Sequence, residues 1–377
     1  MKPWVREKLK QVRDLYPTER LNASKARIMD MWQGRRPKGR LPYLFTPLQA
    51  EYYGRAYDKE EGLRSFLDEF IARGFINDDY IPGFFPGCKQ SAAPAMFGVE
   101  EVVKGIDYTC DHILTCPEDI DKLPDPDLKV SGSVRYYLDI EKYYLEECEG
   151  EIPVHVCDMQ GPVDVAGQLF GYDNLFLCAY DDEKRFHTLL DKCVQAFILL
   201  WDAQRMLLGD HFVGIHTWGW NWVPPEHGAS LSADSIVMVS DEFFRENYLP
   251  HLKPVADKFG KLIIHSCGQF DAVTPAMGNC EFVQAINSSE MPVDALIAAG
   301  WPRNKVIIVR QNISTAEKAF TQTREEDLRV DLSIDGLWPM GPGKTIRHSS
   351  TWTEEEKAEI VRKAVLVEAA AKLQTFV

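Results

Sequence analysis

The sequence predicts a single (β/α)8 barrel, a TIM barrel of the α/β class. Helical and strand-like patterns alternate from about residue 20 to the end. The apolar runs are short and separated by helices, which is typical of buried parallel strands. A doubly wound sheet shares this alternation, but no glycine-rich phosphate loop follows the first strand. The length of 377 residues is within the range that α/β barrels reach as one domain.

The elements follow one another in a regular order. Helical spacing is clear at 24–33, 62–73, 184–208, 241–259 and 353–373, and apolar runs lie at 41–45, 152–157, 212–216, 261–265, 282–286 and 305–309. The last helix has Thr353 as a start signal and a glutamate-rich first turn, which complements the helix dipole. We expect residues 1–20 to form a helical extension outside the barrel, which then occupies residues 21–377.

Composition excludes several classes of partner. The formal net charge of −15 and the pI of about 5.1 argue against nucleic acid and against an anionic membrane surface. The first residues lack the apolar core of a signal peptide, and no apolar run approaches the roughly 20 residues that span a bilayer. Nine scattered cysteines indicate reduced thiols. We expect a cytoplasmic protein that acts on a small molecule; its oligomeric state is not set by these features.

The strongest chemical signal is an H-x-C pair at the end of a predicted strand. The strand at 261–264 runs directly into His265, Ser266, Cys267 and Gly268. In a TIM barrel the active site lies beyond the carboxyl ends of the strands. An imidazole and a thiol projecting there supply two zinc ligands and leave further positions for another ligand and for substrate. The alternative is a buried histidine and a buried free cysteine, both common in protein cores.

Other polar residues are predicted at the same rim. His155 and Asp158 follow from the run at 152–157, His216 ends the run at 212–216, and Asp78 and Asp79 open a loop rich in Phe, Pro and Gly. Arg347 and His348 follow the glycine-rich stretch near the end of the chain. We therefore expect Asp78, Asp79, Asp158 and His216 to be catalytic and Arg347 to bind substrate. Each of them alone is more often structural, so the prediction rests on their convergence.

Three tryptophans lie within five residues, at Trp218, Trp220 and Trp222. They could plug the mouth of the barrel. As functional residues, they would form a wall for an aromatic ring or a methylated cation, and we expect them to bind substrate.

Two longer motifs resemble the uroporphyrinogen decarboxylase superfamily. They are DEFFRENYLP at 241–250 and LIIHSCG at 262–268, and weaker matches at 27–42, 161–169 and 181–183 extend the resemblance over most of the chain. The resemblance implies a TIM barrel. The true decarboxylases carry an arginine-rich signature after the first strand, whereas FTPLQAEY stands here at 45–52. A substrate with eight carboxylates requires several cations, so this departure disfavours a porphyrin substrate.

The chain looks closer to the zinc-dependent methyltransferases of that superfamily, which act with corrinoid proteins. These enzymes use H-x-C and a late cysteine, and His348 stands at the corresponding position. The resemblance therefore implies a zinc site of His265, Cys267 and His348, with Cys280 as the weaker third ligand, and a corrinoid carried by a separate partner protein. With one thiolate the zinc would be a strong Lewis acid, which suits a small, largely apolar methyl donor such as a methoxylated aromatic.

The sequence is also compatible with two other functions. One is a metal-free decarboxylase that acts on a tetrapyrrole or a smaller acid, in which Asp78 or Asp79 stabilises a cationic intermediate. The other is a non-catalytic barrel that binds a small molecule, since a fold does not determine a function.

Overall fold

The computed structural model describes residues 1–47, 58–87, 90–104, 107–215, 222–340, 347 and 349–372. The helices are α1 (Pro3–Leu15), α2 (Thr18–Trp32), α3 (Lys59–Arg73), α4 (Gly132–Glu147), α5 (Pro162–Phe170), α6 (Tyr172–Asp181), α7 (Glu183–Leu208), α8 (Asp241–Phe243), α9 (Leu249–Phe259), α10 (Thr274–Asn279), α11 (Val293–Ala298), α12 (Ile313–Glu325) and α13 (Glu354–Ala371). A π-helical turn, Phe244–Tyr248, joins α8 to α9. Among the described residues, no helix has the length and apolarity needed to cross a membrane.

The strands are β1 (Tyr43–Phe45), β2 (Glu101–Lys104), β3 (Asp107–Cys110), β4 (Val154–His155), β5 (Phe212–Val213), β6 (Ala229–Ser232), β7 (Leu262–Ser266), β8 (Val283–Ser288), β9 (Val306–Asn312) and β10 (Arg329–Asp335). Strands β2 and β3 form an antiparallel hairpin outside the barrel. The other strands are parallel, with β6 to β10 in chain order and β10 paired to β1.

The remaining contacts close this sheet into a ring of eight positions within the described part of the chain. Residues 79–84 form the second position, because the Asp79 N–H bonds to the Tyr43 carbonyl and Phe84 bridges Val154. The third position consists of β4 and its continuation to Gln160. Strand β4 itself pairs with β5, and Gln160 further along pairs with Ser232 of β6. Strands β5 and β6 thus share the fourth position. The predicted barrel is confirmed.

The predicted helices are present, and three strand segments lacked a recognisable signal. Residues 79–84 contain Pro and Gly, β6 has small residues around a single leucine, and β10 alternates apolar with polar side chains. In β10, Val330, Leu332 and Ile334 pack against the outer helices, so the polar residues between them face the interior. Continuous apolar runs therefore do not mark these strands in the sequence.

Helix α2 closes the amino-terminal end of the barrel. Its Ile28, Met31 and Trp32 form one buried cluster with interior side chains of the strands, including Ile263 and Ile308. Helix α1 lies outside and packs against α3. The half of the barrel interior next to α2, its lower half, is therefore filled with apolar side chains. The upper half, at the carboxyl ends of the strands, is left for chemistry.

Candidate metal centre and active site

Strand β7 delivers the H-x-C pair to the carboxyl end of the barrel. Ile263 belongs to the interior cluster, whereas Leu262 and Ile264 pack against the outer helices. By alternation His265 also faces the interior, and it is almost fully buried. Cys267 follows the end of the strand and is exposed. The predicted position of the pair at the catalytic end agrees with the structure.

The His265 ring is held in one orientation by a neighbour on β8. Its Nδ1 is hydrogen bonded to Oδ1 of Asn287, an oxygen that can only accept, so Nδ1 carries the proton. This leaves a lone pair on Nε2, which lies 3.1 Å from Sγ of Cys267. A hydrogen bond of this kind to the distal nitrogen is the usual partner of a metal-binding histidine.

Asp234 is a third donor, and the sequence analysis did not identify it. It lies just after β6, and its Oδ1 accepts the N–H of Cys267 at 2.8 Å. Candidate ligand atoms of Asp234, His265 and Cys267 all lie within 4.8 Å of one another. Nitrogen, sulfur and oxygen donors at such separations suit a zinc ion with an open coordination position. The donor set therefore fits zinc.

The surroundings of His265 and Cys267 shift the pKa values of these two residues in the absence of a cation. Burial lowers the pKa of His265, which keeps the imidazole neutral and able to bind a metal. Burial, with the negative charge of Asp234, raises the pKa of Cys267 to about 12. A bound divalent cation would reverse this effect, because metal coordination deprotonates a thiol.

A buried carboxyl group lies behind Asp234. Asp164 on α5 accepts the Ser235 N–H at 2.9 Å, and the Tyr172 hydroxyl at 3.2 Å. Burial, with the nearby charge of Asp234, raises the pKa of Asp164 to about 7. The Tyr248 hydroxyl in turn donates to Oγ of Ser235 at 2.9 Å. These bonds fix the backbone turn that carries Asp234.

Asp158 lies close to the cluster, at the end of the third strand position. It is buried and accepts the Gln160 amide at 3.1 and 3.2 Å. Its charge contributes to the raised pKa of Cys267. Of the predicted catalytic residues that the structure describes, Asp158 is the one whose charge acts on the H-x-C pair.

Asp78 and Asp79 do not join the site, contrary to the prediction. Asp78 lies just before the second strand position and Asp79 is its first residue. Both are therefore at its amino-terminal end, opposite the rim where the H-x-C pair lies. Asp79 pairs with Arg27 at 2.7 Å and with Arg40, and Asp78 pairs with Arg73 at 2.8 Å. Both carboxylates are buried. Their charges are already compensated, which corrects the proposed catalytic role to a structural one.

The prediction that Trp222 lines the barrel mouth is also wrong. Trp222 packs on the interior floor cluster, and the ammonium group of Lys25 from α2 lies 5.5 Å from its ring centre. Trp222 therefore lies at the amino-terminal end of the barrel, a few residues before β6 begins. His216, Trp218 and Trp220 lie outside the described residues.

The structure describes His155 and Arg347, and it places both away from the H-x-C pair. His155 is the last residue of β4, five residues before the end of the third strand position at Gln160; its Nδ1 is 2.9 Å from the Ile215 carbonyl, and burial lowers its pKa to about 4. It is thus part of the interior wall and not of the rim. Arg347 bonds Glu356 at 2.6 Å and the Thr351 carbonyl, so it holds the start of α13, and a role in substrate binding stays a prediction. His348 lies outside the described residues.

Cys280 is excluded as a third ligand by its position in the chain. It lies between α10 and β8, and hence at the amino-terminal end of β8. His265 and Cys267 lie at the opposite end of the neighbouring strand. Parallel strands keep their two ends apart, so Cys280 cannot share an ion with the pair.

Comparisons with known proteins agree with this architecture. The sequence profile of the uroporphyrinogen decarboxylase (URO-D) family matches residues 104–299. A methyltransferase from Methanosarcina mazei has a similar structure, with a TM-score of 0.63 and 14% sequence identity over 92% of this chain and 98% of that chain. A search of curated protein sequences gives no match. Because the matched segment, which contains β4 to β8 and the H-x-C pair, exceeds half of the sequence, the chain belongs to the uroporphyrinogen decarboxylase family.

Proposed function

We propose that this protein is a zinc-dependent methyltransferase that moves a methyl group between a small substrate and a corrinoid protein. The observation that carries the proposal is the cluster of Asp234, His265 and Cys267 at the carboxyl end of the barrel. The structural neighbour that is itself a methyltransferase supports it as an analogy of fold.

Each residue of the cluster has a definite part in this proposal. His265, Cys267 and Asp234 would hold the zinc, which when bound acts as a Lewis acid on the donor atom of the substrate. Asn287 keeps Nε2 of His265 directed at the ion. Asp158, buried beside the pair, would bind a proton or a polar group of the substrate.

The substrate that we expect changes when Asp234, and not the predicted His348, is taken as the third ligand. Asp234 and a Cys267 thiolate together carry two negative charges, which would neutralise a divalent zinc. Such a site is a weaker Lewis acid than the predicted His265, Cys267 and His348 set, and it leaves a bound thiolate more nucleophilic. A methoxylated aromatic substrate is then less favoured, because the zinc would be a weaker Lewis acid and because Trp222 lies on the floor of the barrel, away from the cluster. We therefore favour a small polar substrate that meets the zinc through a soft donor such as a thiol.

Decarboxylation is the second candidate, because the family includes decarboxylases. Its predicted catalytic acids, Asp78 and Asp79, are held by arginines. We therefore place it behind methyl transfer.

A direct assay separates the two reactions. The protein is incubated in three separate arms. The first contains a methylated corrinoid protein and small thiols, the second contains methoxylated aromatics and a reduced corrinoid protein, and the third contains uroporphyrinogen. We expect the absorption spectrum of the corrinoid to change in the first arm, and the change to be absent in Cys267→Ala. Cys116→Ala, which alters a partly buried cysteine outside the cluster, should retain it. Release of carbon dioxide from uroporphyrinogen, with no change in either corrinoid arm, would overturn the proposal.

A further inference from the structure

Two histidines face each other on the outside of the barrel, apart from the cluster of the proposed function. His187 is on α7 and His251 is on α9, and Nδ1 of His187 lies 2.8 Å from Nε2 of His251. The ring centres are 5.1 Å apart and the ring planes are inclined by 25°. The two inner nitrogens are therefore directed towards each other in nearly coplanar rings.

The outer nitrogen of each ring faces a carboxylate. Nε2 of His187 lies 3.6 Å from Oε1 of Glu183, one turn earlier on α7. Nδ1 of His251 lies 3.3 Å from Oδ1 of Asp191, one turn later on the same helix. A carboxylate beside an imidazole nitrogen favours the N–H form of that nitrogen, because the carboxylate can only accept.

These contacts leave the inner nitrogens with a conflict. A neutral imidazole has one N–H, so if both outer nitrogens carry it, two lone pairs face each other at 2.8 Å. If one inner nitrogen carries the proton instead, a bare outer nitrogen faces a carboxylate. A positive charge between the rings resolves the conflict, and a divalent ion also balances both carboxylates.

We propose that His187 and His251 form a binding site for a divalent transition metal that links α7 to α9. Two metal–nitrogen bonds of about 2.0–2.1 Å that meet at a right angle separate their nitrogens by about 2.9 Å. The separation in the structure is close to this value, and each ring must turn by about 45° from the line that joins the two nitrogens for its lone pair to meet the ion. The side chain of His187 is 33% exposed, so its ring can tilt towards an ion and water can complete the coordination.

The chemistry of the site indicates which ions it takes. Neutral imidazole nitrogens suit zinc, nickel and copper, in contrast to calcium or magnesium, which prefer oxygen. Asp191 and Glu183 occupy the positions of the carboxylates that commonly orient metal-binding histidines. Both helices belong to the outer layer, so the ion would stabilise the packing of α7 on α9.

The test uses Ni²⁺ and the Cys267→Ala chain, in which the H-x-C pair is disabled. Equilibrium dialysis should show bound Ni²⁺, and the melting temperature should rise with added Ni²⁺, because an ion that binds only the folded chain stabilises it. Both effects should disappear when His187→Ala is added. They should persist with His112→Ala, which alters an exposed histidine elsewhere, and Asp191→Asn should weaken binding by about tenfold or more.

Two results would overturn the site: no Ni²⁺ bound by the Cys267→Ala chain, or equal binding with and without His187. Either would mean that a shared proton occupies the gap. Failure of the proposed function is recognised separately, because it leaves binding at His187 and His251 unchanged and shows instead as a wild-type chain without methyl transfer.

Discussion

Asn287 determines which nitrogen His265 presents to the cluster. With Asn287→Ala, the ring loses the acceptor for Nδ1–H and can rotate or change tautomer. We expect zinc affinity to fall about 10–100-fold, as is usual when such a partner is lost. Competition with a chromophoric chelator measures this. Asn287→Asp keeps an acceptor and serves as the control; equal affinity of the Ala variant and the wild type would show that the bond does not orient the ligand.

Asp79 tests whether the acidic pair is structural. Asp79→Ala leaves Arg27 and the buried Arg40 without their common partner. Breaking a buried pair from one side costs about 3–5 kcal/mol, and we expect that loss in urea unfolding. Zinc binding by the folded fraction should not change.

The control is Asp139→Ala, which removes an exposed pair with Lys59 worth about 0–1 kcal/mol. An Asp79→Ala chain of normal stability with impaired zinc binding would contradict the structural role.

The sequence could predict some of these residues and not others. His265 and Cys267 follow a run of apolar residues and precede Gly268, which is a strong local signal. Asp234 has no such signal, because β6 before it is short and made of small residues. Asn287 lies within β8, where its polar side chain broke the apolar run that marked the strand. Both became recognisable only when the register of neighbouring strands placed them beside His265.

Helix α2 is the element that closes the floor of the barrel. Trp32 is buried there and stacks on His227, with ring centres 4.5 Å apart. Trp32→Ala leaves a large cavity, and we expect the free energy of unfolding to fall by about 3–5 kcal/mol. Because Asp234, His265 and Cys267 lie at the other end of the barrel, we expect zinc affinity to stay the same. Met206→Ala, an exposed site on α7, is the control, and a Trp32→Ala chain as stable as that control would contradict the floor.

Helix α4 buries a carboxyl group that makes stability depend on pH. No hydrogen-bond partner is found for Glu141 among the described residues, and burial raises its pKa well above the usual range. The protonated form is favoured in the folded state, so its contribution is fully present below the unfolded pKa of about 4.3 and is lost as pH rises through the folded value.

Glu141→Gln should therefore become more stable relative to the wild type between pH 4 and pH 8. Urea unfolding at the two pH values measures the change. Glu146→Gln, an exposed position on the same helix, should show little change. Parallel curves for wild type and Glu141→Gln would show that this carboxyl group does not titrate differently in the folded chain.

Across the whole molecule, the barrel interior is divided into two halves. The lower half is filled by apolar side chains and closed by α2. The upper half gathers His265, Asn287 and Asp158 from three strand positions, with Asp234 and Cys267 on the loops that follow. Periodicity predicted the alternation of strands and helices. It could not predict which strand ends meet, because that depends on the closure of the ring through strands without an apolar pattern.

We expect Asp234, His265 and Cys267 to bind one metal ion, and substitution with cobalt would reveal such a site by its absorption spectrum. Cobalt(II) bound to a thiolate has a charge-transfer absorption that nitrogen and oxygen ligands alone do not give, so a second metal site does not interfere. We predict this absorption for the wild-type chain, its loss in Cys267→Ala and its weakening in Asp234→Ala. A wild-type chain that takes up cobalt without the thiolate absorption, or takes up none, would show that these three residues do not form a metal site.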